Sequence, residues 1–492
     1  MFLLAFPCAD GENYAANEKK DCFNFLRFLP FPVALLGVAR HLPVDKIDFE
    51  TGFFKTVFEP VMGKARTFIP SVKLLMNNKL GPSVSINRIL DFTPDEFQKI
   101  LGFKDNISER TLYRTFERCG ERYQIILELY QKWIQTQKLV DPTQFVDFSS
   151  TYFEGTKCKL GKRGYSRDHQ PGKLQITFGV SVGLNNIPTM LTIQKGNIQD
   201  KTHMKSMIRL CSRILPFNSL LVFDCGGNTK ANKKDILDLN LQYLTLKAKK
   251  KGPYLKAITH FRNGVQVQFV SNDEEYRCVK VLDGEAFQYI FFSKSRESEQ
   301  LAAKQRKFEK ELDAGLKLLK KVEKGKDLGQ HVSAEGWIIF RGALQKTIDD
   351  ISNPYITGIE GFFILESSVN EAPEKILETY KKRDKAEKLI RDLKEGAEIR
   401  PVRHWSDKAV IGFVLIVFLT KVLVSLTDFL CKNPIVKNLK VLKKYLINLS
   451  LTIVYPVFGF EIRIISNYLP ELMPFFGDFI KKYGTLEAPN RW

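Results

Sequence analysis

Apolar and polar positions recur with two different periods along this chain, and the changes of period mark its elements. From Phe145 the period is two. FVDFSSTYF (145–153) alternates and is rich in β-formers, which predicts a strand. Lys173–Leu184 and Ile187–Ile193 have the same character. They flank Asn185-Asn186, a two-residue turn signal, and so predict a hairpin. Residues 199–214 show helical spacing. SLLVFD (219–224) is a continuous apolar run that ends on an acid and is followed by Gly226-Gly227. A short helix and a strand at Leu241–Leu246 come next. Three strands, helix, strand, helix, strand predicts a mixed sheet covered by helices.

Before this block the period is helical. In FTPDEFQKILGFKDNISERTLYRTFERCG (92–120), Thr93, Pro94 and Glu96 predict a capping box and Gly102 a helix end. Ser108 is placed to cap a second helix carrying Arg110, Arg114 and Arg118. Two short helices around a small turn suit a DNA-binding helix-turn-helix, with Arg110 and Arg114 toward DNA, or an ordinary helical pair. A long helix spans Glu121–Gln137, while residues 1–90 break into short apolar patches. After the sheet block, residues 255–293 read as strands and Ser295–Lys324 as a charged helix. Trp337–Leu344 and Tyr355–Leu365 read as further strands, Ala372–Leu393 as one helix, and 395–492 as mostly helical. The expected organisation is a helical region at 1–140, a sheet domain at 141–254 continued at 371–430, a β-rich insertion at 255–370 and a helical region at 431–492.

Charge sharpens the picture. Among 492 residues, 75 Lys and Arg outweigh 55 Asp and Glu, a net charge of +20, which points to a polyanionic partner. Lys247–Lys251 and Lys432–Lys444 either line DNA or form solvated faces. Eight cysteines without a C-x-x-C pair and six scattered histidines disfavour a disulfide framework or a thiolate and imidazole metal site. His404 and Trp405 open the apolar helix and read as simple packing residues or as functional ones. The start, MFLLAFPCADGEN, lacks a basic leader region. Ala409–Leu426 approaches bilayer-spanning length, but Lys421 interrupts it, so it is expected to be a buried core helix rather than a membrane span.

The chemistry concentrates in YKKRDKAEKLIRDLK (380–394). On a straight helix Tyr380, Arg383, Glu387 and Lys394 share one narrow face about 21 Å long, and three of the four are phosphate-binding types. Asp147 interrupts one apolar strand and Asp224 ends another, costly positions unless exposed at a sheet edge or bound to a cation. Three carboxylates on neighbouring elements repel one another, and divalent cations relieve that repulsion. Two Mg²⁺ or Mn²⁺ ions held among them would support phosphoryl transfer.

These residues resemble the DDE transposases of prokaryotic insertion sequences, in the insertion-sequence-four-like group with a Y-x2-R-x3-E-x6-K signature. The signature is matched with full spacing at Tyr380, Arg383, Glu387 and Lys394. FVDFSSTYFEG (145–155) resembles the first-Asp block. GYSRDHQPGKLQITFGV (164–180), GNIQD (196–200) and LVFDCGGNTKAN (221–232) resemble the blocks up to and past the second Asp. IRPVRHW (399–405) resembles the stretch after the signature. Cys225-Gly226-Gly227 departs from the expected larger residue after the second Asp. The resemblance implies an α/β, ribonuclease-H-like catalytic domain interrupted by a β-rich insertion. Asp147, Asp224 and Glu387 would be the metal ligands, and Tyr380, Arg383 and Lys394 would hold phosphates. Trp337 in the insertion would either stack a flipped base or sit buried in a strand. It further implies a synaptic homodimer on terminal inverted repeats, hydrolysis at the element's 3′ end, transfer of that 3′-hydroxyl to target DNA, and a nucleoid-associated place in a prokaryotic cytoplasm. Alternative readings are a catalytically silent or repurposed end-binding protein, an RNase-H-like nuclease without strand transfer, and a membrane-associated basic protein.

Overall fold

The computed structural model describes residues 33–36, 42–81, 83–155, 157–323, 353–431, 439–446, 450–454 and 462–466. Among the described residues the first elements are β1 (Val33–Leu36) and the helices α1 (Leu42–Thr51), α2 (Phe53–Val57), α3 (Glu59–Met62), α4 (Phe68–Lys79), α5 (Asp95–Ile100), α6 (Glu109–Glu121) and α7 (Tyr123–Thr136). Phe53, Phe54, Phe58 and Phe68 are buried in successive edge-on and stacked ring contacts, which draws this region into the main core. The capping box does not form. Pro94 holds the N-cap position, and the Thr93 hydroxyl donates to the Ile89 carbonyl at 2.7 Å instead.

Among the described residues the central sheet has nine strands. Five come from the expected block: β2 (Thr143–Tyr152), β3 (Gln175–Gly183), β4 (Pro188–Lys195), β5 (Leu220–Phe223) and β6 (Gln242–Leu246), with α8 (Asp200–Ile214) and α9 (Lys230–Asp238) between them. β2, β3 and β4 run antiparallel, whereas β2, β5 and β6 are parallel. Helix α7 is fastened across β4, where the hydroxyls of Tyr123 and Tyr130 donate to the Leu191 and Pro188 carbonyls.

The insertion extends the same sheet. Helix α10 (Lys251–Asn263) leads into β7 (Val267–Ser271), β8 (Glu274–Asp283) and β9 (Ala286–Phe292). Helix α11 (Lys294–Glu323) and β10 (Phe362–Ser367) follow. β10 pairs with both β6 and β9, giving the order β4-β3-β2-β5-β6-β10-β9-β8-β7. Two expectations need correction here. Residues 255–263 are helical, because Tyr254, Ala257, Ile258 and Phe261 repeat at helical spacing and bury one face. The last strand starts at Phe362 rather than Tyr355. Trp337–Leu344 lies outside the described residues.

The expected single helix at 372–393 is also broken. It is α12 (Pro373–Lys381), α13 (Asp384–Arg391) and a wide π-type turn over Asp392–Gly396. Between α12 and α13 the backbone tightens to three-residue hydrogen bonds, Arg383 N to Tyr380 O, Lys385 N to Lys382 O and Ala386 N to Arg383 O. A tightened turn followed by a widened one defeats the constant angular step that placed four residues on one face.

Helix α14 (Asp407–Cys431) contains the apolar run. It is long and apolar enough to cross a bilayer, yet 89% of its most apolar window is buried inside the protein. Lys421 is paired with Asp392 of the π turn at 2.8 Å, which explains the cation inside the run. Beyond it, 431–492 was expected to be helical. Its described residues form one helix, α15 (Leu439–Leu446), and two strands, β11 (Ser450–Val454) and β12 (Ile462–Ser466), which join β1 in a second sheet. The β-branched residues of SLTIV and IRIIS account for the strands.

Candidate active site

The parallel pairing of β2 and β5 sets Phe145 opposite Val222. Continued by two residues, that register places Asp147 beside Asp224, which directly follows β5. Helix α13 packs across β2 and β3 and carries Glu387. Asp147, Asp224 and Glu387 thereby line one cleft of about 320 Å³, together with Arg167, Asp200 and Arg383.

The carboxylates are held differently. Asp147 accepts its own strand's Phe148 N–H at 2.9 Å, and burial pushes its carboxyl up to about 6, against the pull of Arg383. Asp224 caps the short turn 225–227 by accepting the Cys225 N–H at 2.7 Å. Glu387 is the most open, with 45% of its side chain exposed. The Arg383 guanidinium bridges two of them. Its Nη2 donates to Glu387, and its Nη1 lies 3.9 Å from Asp147. Burial pushes the Tyr380 phenol up, so this hydroxyl remains a proton donor, and Arg383 lies over its ring.

Oxygen-only donors suit Mg²⁺ or Mn²⁺ in type, and a half-buried Asp147 whose cationic neighbour stands 3.9 Å away is short of positive charge. In spacing the fit is incomplete. Among the described residues no three acid, His or Cys side chains converge on one metal position, and Arg383 lies between two of the candidate ligands.

The other sequence candidates scatter. Lys394 does not share the cleft face. It lies in the π turn, 9% exposed, paired at 2.8 Å with Asp168, which also meets Arg400 at 2.8 Å. Arg110 and Arg114 are exposed on α6, whose other face (Leu112, Phe116, Cys119) packs on α14. Trp337 lies outside the described residues. His404 is wedged between Phe116 and Phe413, and burial lowers its pKa to about 4. Lys247 pairs with the buried Glu366 at 3.3 Å. Within 432–444 only 439–444 is described, and there Lys440 and Lys443 pair with Glu395 and Glu398.

Two cleft residues were not singled out from the sequence. Arg167 Nη2 donates to both oxygens of Asp200, at 2.7 and 2.6 Å. Both residues fall in blocks quoted for the resemblance, GYSRDHQPG and GNIQD, so the signal was present. Asp200 also lies against the unusual Gly226. A Cβ there would stand 2.8 Å from Asp200 Oδ2.

No protein-family model matches the chain, and no curated protein matches it. Among solved structures it is similar to the piggyBac transposase in a synaptic complex with hairpin DNA. The TM-score is 0.39 and the identity 10%, over 92% of this chain and 86% of that one.

Proposed function

We propose that this chain is a DDE-type DNA transposase that hydrolyses DNA at transposon ends and transfers the freed 3′-hydroxyl to target DNA. The observation that carries the reading is the cleft itself. One acid stands on a strand, a second directly follows the neighbouring parallel strand and a third lies on the helix across them, with two arginines lining the same cleft. Strand pattern supports it too, since three antiparallel strands followed by two parallel crossover strands match the ribonuclease-H-like domain expected from the resemblance.

In this reading Asp147, Asp224 and Glu387 would hold Mg²⁺ or Mn²⁺. Such ions, when bound, polarise the attacking oxygen and stabilise the leaving one. Arg383 exchanges its carboxylates for a phosphate, where a guanidinium fork fits two oxygens. The Tyr380 hydroxyl, kept protonated by burial, donates to the same backbone. The working assembly is a homodimer on paired terminal repeats.

The test is cleavage and joining of DNA carrying the element's own ends, with Mg²⁺ or Mn²⁺, for wild type and Glu387→Gln. Metal-dependent 3′ nicking and joined products, lost in the variant while DNA binding persists, are expected. Nicking by both proteins overturns the assignment of Glu387. A second reading, an end-binding protein that does not cut, draws on the Arg383 bridge between Asp147 and Glu387. Binding by wild type without nicking selects it.

A further inference from the structure

Arg167 is presented to the cleft by an anchored loop. Its backbone N–H donates to Ser150 Oγ on β2 at 3.2 Å. The next residue, Asp168, is 1% exposed and clamped by Lys394 and Arg400, each at 2.8 Å. Lys394 thus acts through the loop, and the signature helix and the Arg167 loop are fixed to each other. The Arg167 side chain itself remains 29% exposed and lines the cleft beside Asp147 and Asp224.

Its partner is held less completely than its backbone. Both bonds to Asp200 run from the single nitrogen Nη2, so the pair lacks the side-by-side fork geometry that makes Arg–carboxylate contacts strong. A phosphodiester offers two oxygens to that fork. Asp200 is 26% exposed, and solvent screens such a pair. Gly226 leaves the space that keeps Asp200 against the turn after Asp224.

We propose that Arg167 is a phosphodiester-binding residue of the cleft and that Asp200 is its exchangeable counter-ion, released when DNA enters. This rests on the reading of the chain as a DNA-processing enzyme. An exchange pair differs from a structural pair in the signs of its two variants. Removing Arg167 removes a phosphate contact, whereas neutralising Asp200 removes a competitor for Arg167. In a structural pair both changes weaken binding alike.

The experiment is fluorescence anisotropy on the full chain with a labelled duplex carrying the element's end, with Ca²⁺ at fixed concentration to offset the cleft carboxylates, across a KCl series. Arg167→Ala is expected to bind more weakly and to flatten the plot of log K against log salt by about 0.9, the share of one phosphate. Asp200→Asn is expected to bind several-fold more tightly. Weaker binding by Asp200→Asn, or an unchanged slope for Arg167→Ala, overturns the proposal. If Arg167→Ala fails to fold, the isosteric Asp200→Asn decides alone, tighter binding supporting the exchange and any other result overturning it. A wild type with no affinity for the duplex overturns the functional reading, and this inference with it. Binding by wild type with the wrong variant signs overturns this inference only.

Discussion

Asp147 is a carboxylate inside an apolar strand, with Arg383 set off at 3.9 Å and burial pushing its pKa up to about 6. In the unfolded chain the same group titrates at its ordinary value of 3.8. The folded state therefore binds the extra proton between these values. This contribution favours folding most at low pH, declines as pH rises from about 4 to about 6, and is a full cost above that. Two units correspond to at most about 3 kcal/mol. Asp147→Asn keeps the side chain's shape and removes the charge. It is expected to melt at a higher temperature than wild type at pH 7.5, with the gap closing toward pH 4. Thermal denaturation followed by circular dichroism across that range checks this, and a variant less stable than wild type at pH 7.5 contradicts it. Such a carboxylate, strained when alone, is what a cation-binding or phosphate-handling site requires. Asp168 shows the opposite treatment. It is more deeply buried but met by two cations, which is how a structural acid is made tolerable.

Elements follow local patterns only as far as their partners allow. The hairpin at Asn185-Asn186 was legible because its turn chemistry is local; Asn186 takes the left-handed conformation the turn needs. Asp224 at a strand end was legible for the same reason. The break between Lys381 and Asp384 was not, because it changes hydrogen-bond span without any Pro or Gly to announce it. Nor was the fate of Lys394, whose partner Asp168 is 226 residues away. The contact of α6 with α14 is another case that only the fold reveals. A Cβ on Gly412 would stand 1.9 Å from the Phe116 carbonyl oxygen, and one on Gly120 would stand 1.7 Å from the Lys408 carbonyl oxygen. Backbone faces backbone, so no side chain can swing aside. Gly412→Ala is expected to lower stability by about 3 kcal/mol or more, at the upper end of overpacking. Gly252→Ala serves as a control. It lies in the first turn of α10 with nothing within 4 Å of the added methyl and should be neutral or slightly stabilising, by up to about 1 kcal/mol. Urea denaturation of both variants measures the difference, and equal midpoints would mean the helices separate freely.

At the scale of the whole molecule, two electrostatic levels oppose each other. The chain carries a net charge of +20, which in the proposed function draws DNA to its surface. The cleft lining carries four carboxylates, Asp147, Asp200, Asp224 and Glu387, against two guanidinium groups, Arg167 and Arg383, a balance of −2 when all are ionised. Surface attraction and cleft entry are therefore separable. The first needs no divalent ion and falls steeply with monovalent salt, by about 0.9 in slope for each phosphate neutralised. The second places phosphate among like charges until a cation or the loss of a carboxylate removes the repulsion. Duplex binding in EDTA is accordingly expected to persist with a steep salt slope. Adding Ca²⁺, a probe with the same preference for oxygen donors, should tighten it in wild type. In Asp147→Asn/Asp224→Asn the EDTA affinity should already equal or exceed that of wild type, and Ca²⁺ should add little. The outcome that sinks this division is a double variant that still tightens with Ca²⁺ as wild type does. The ion's effect would then lie on the DNA or elsewhere on the protein, and the acidic cleft would not be where the backbone is received.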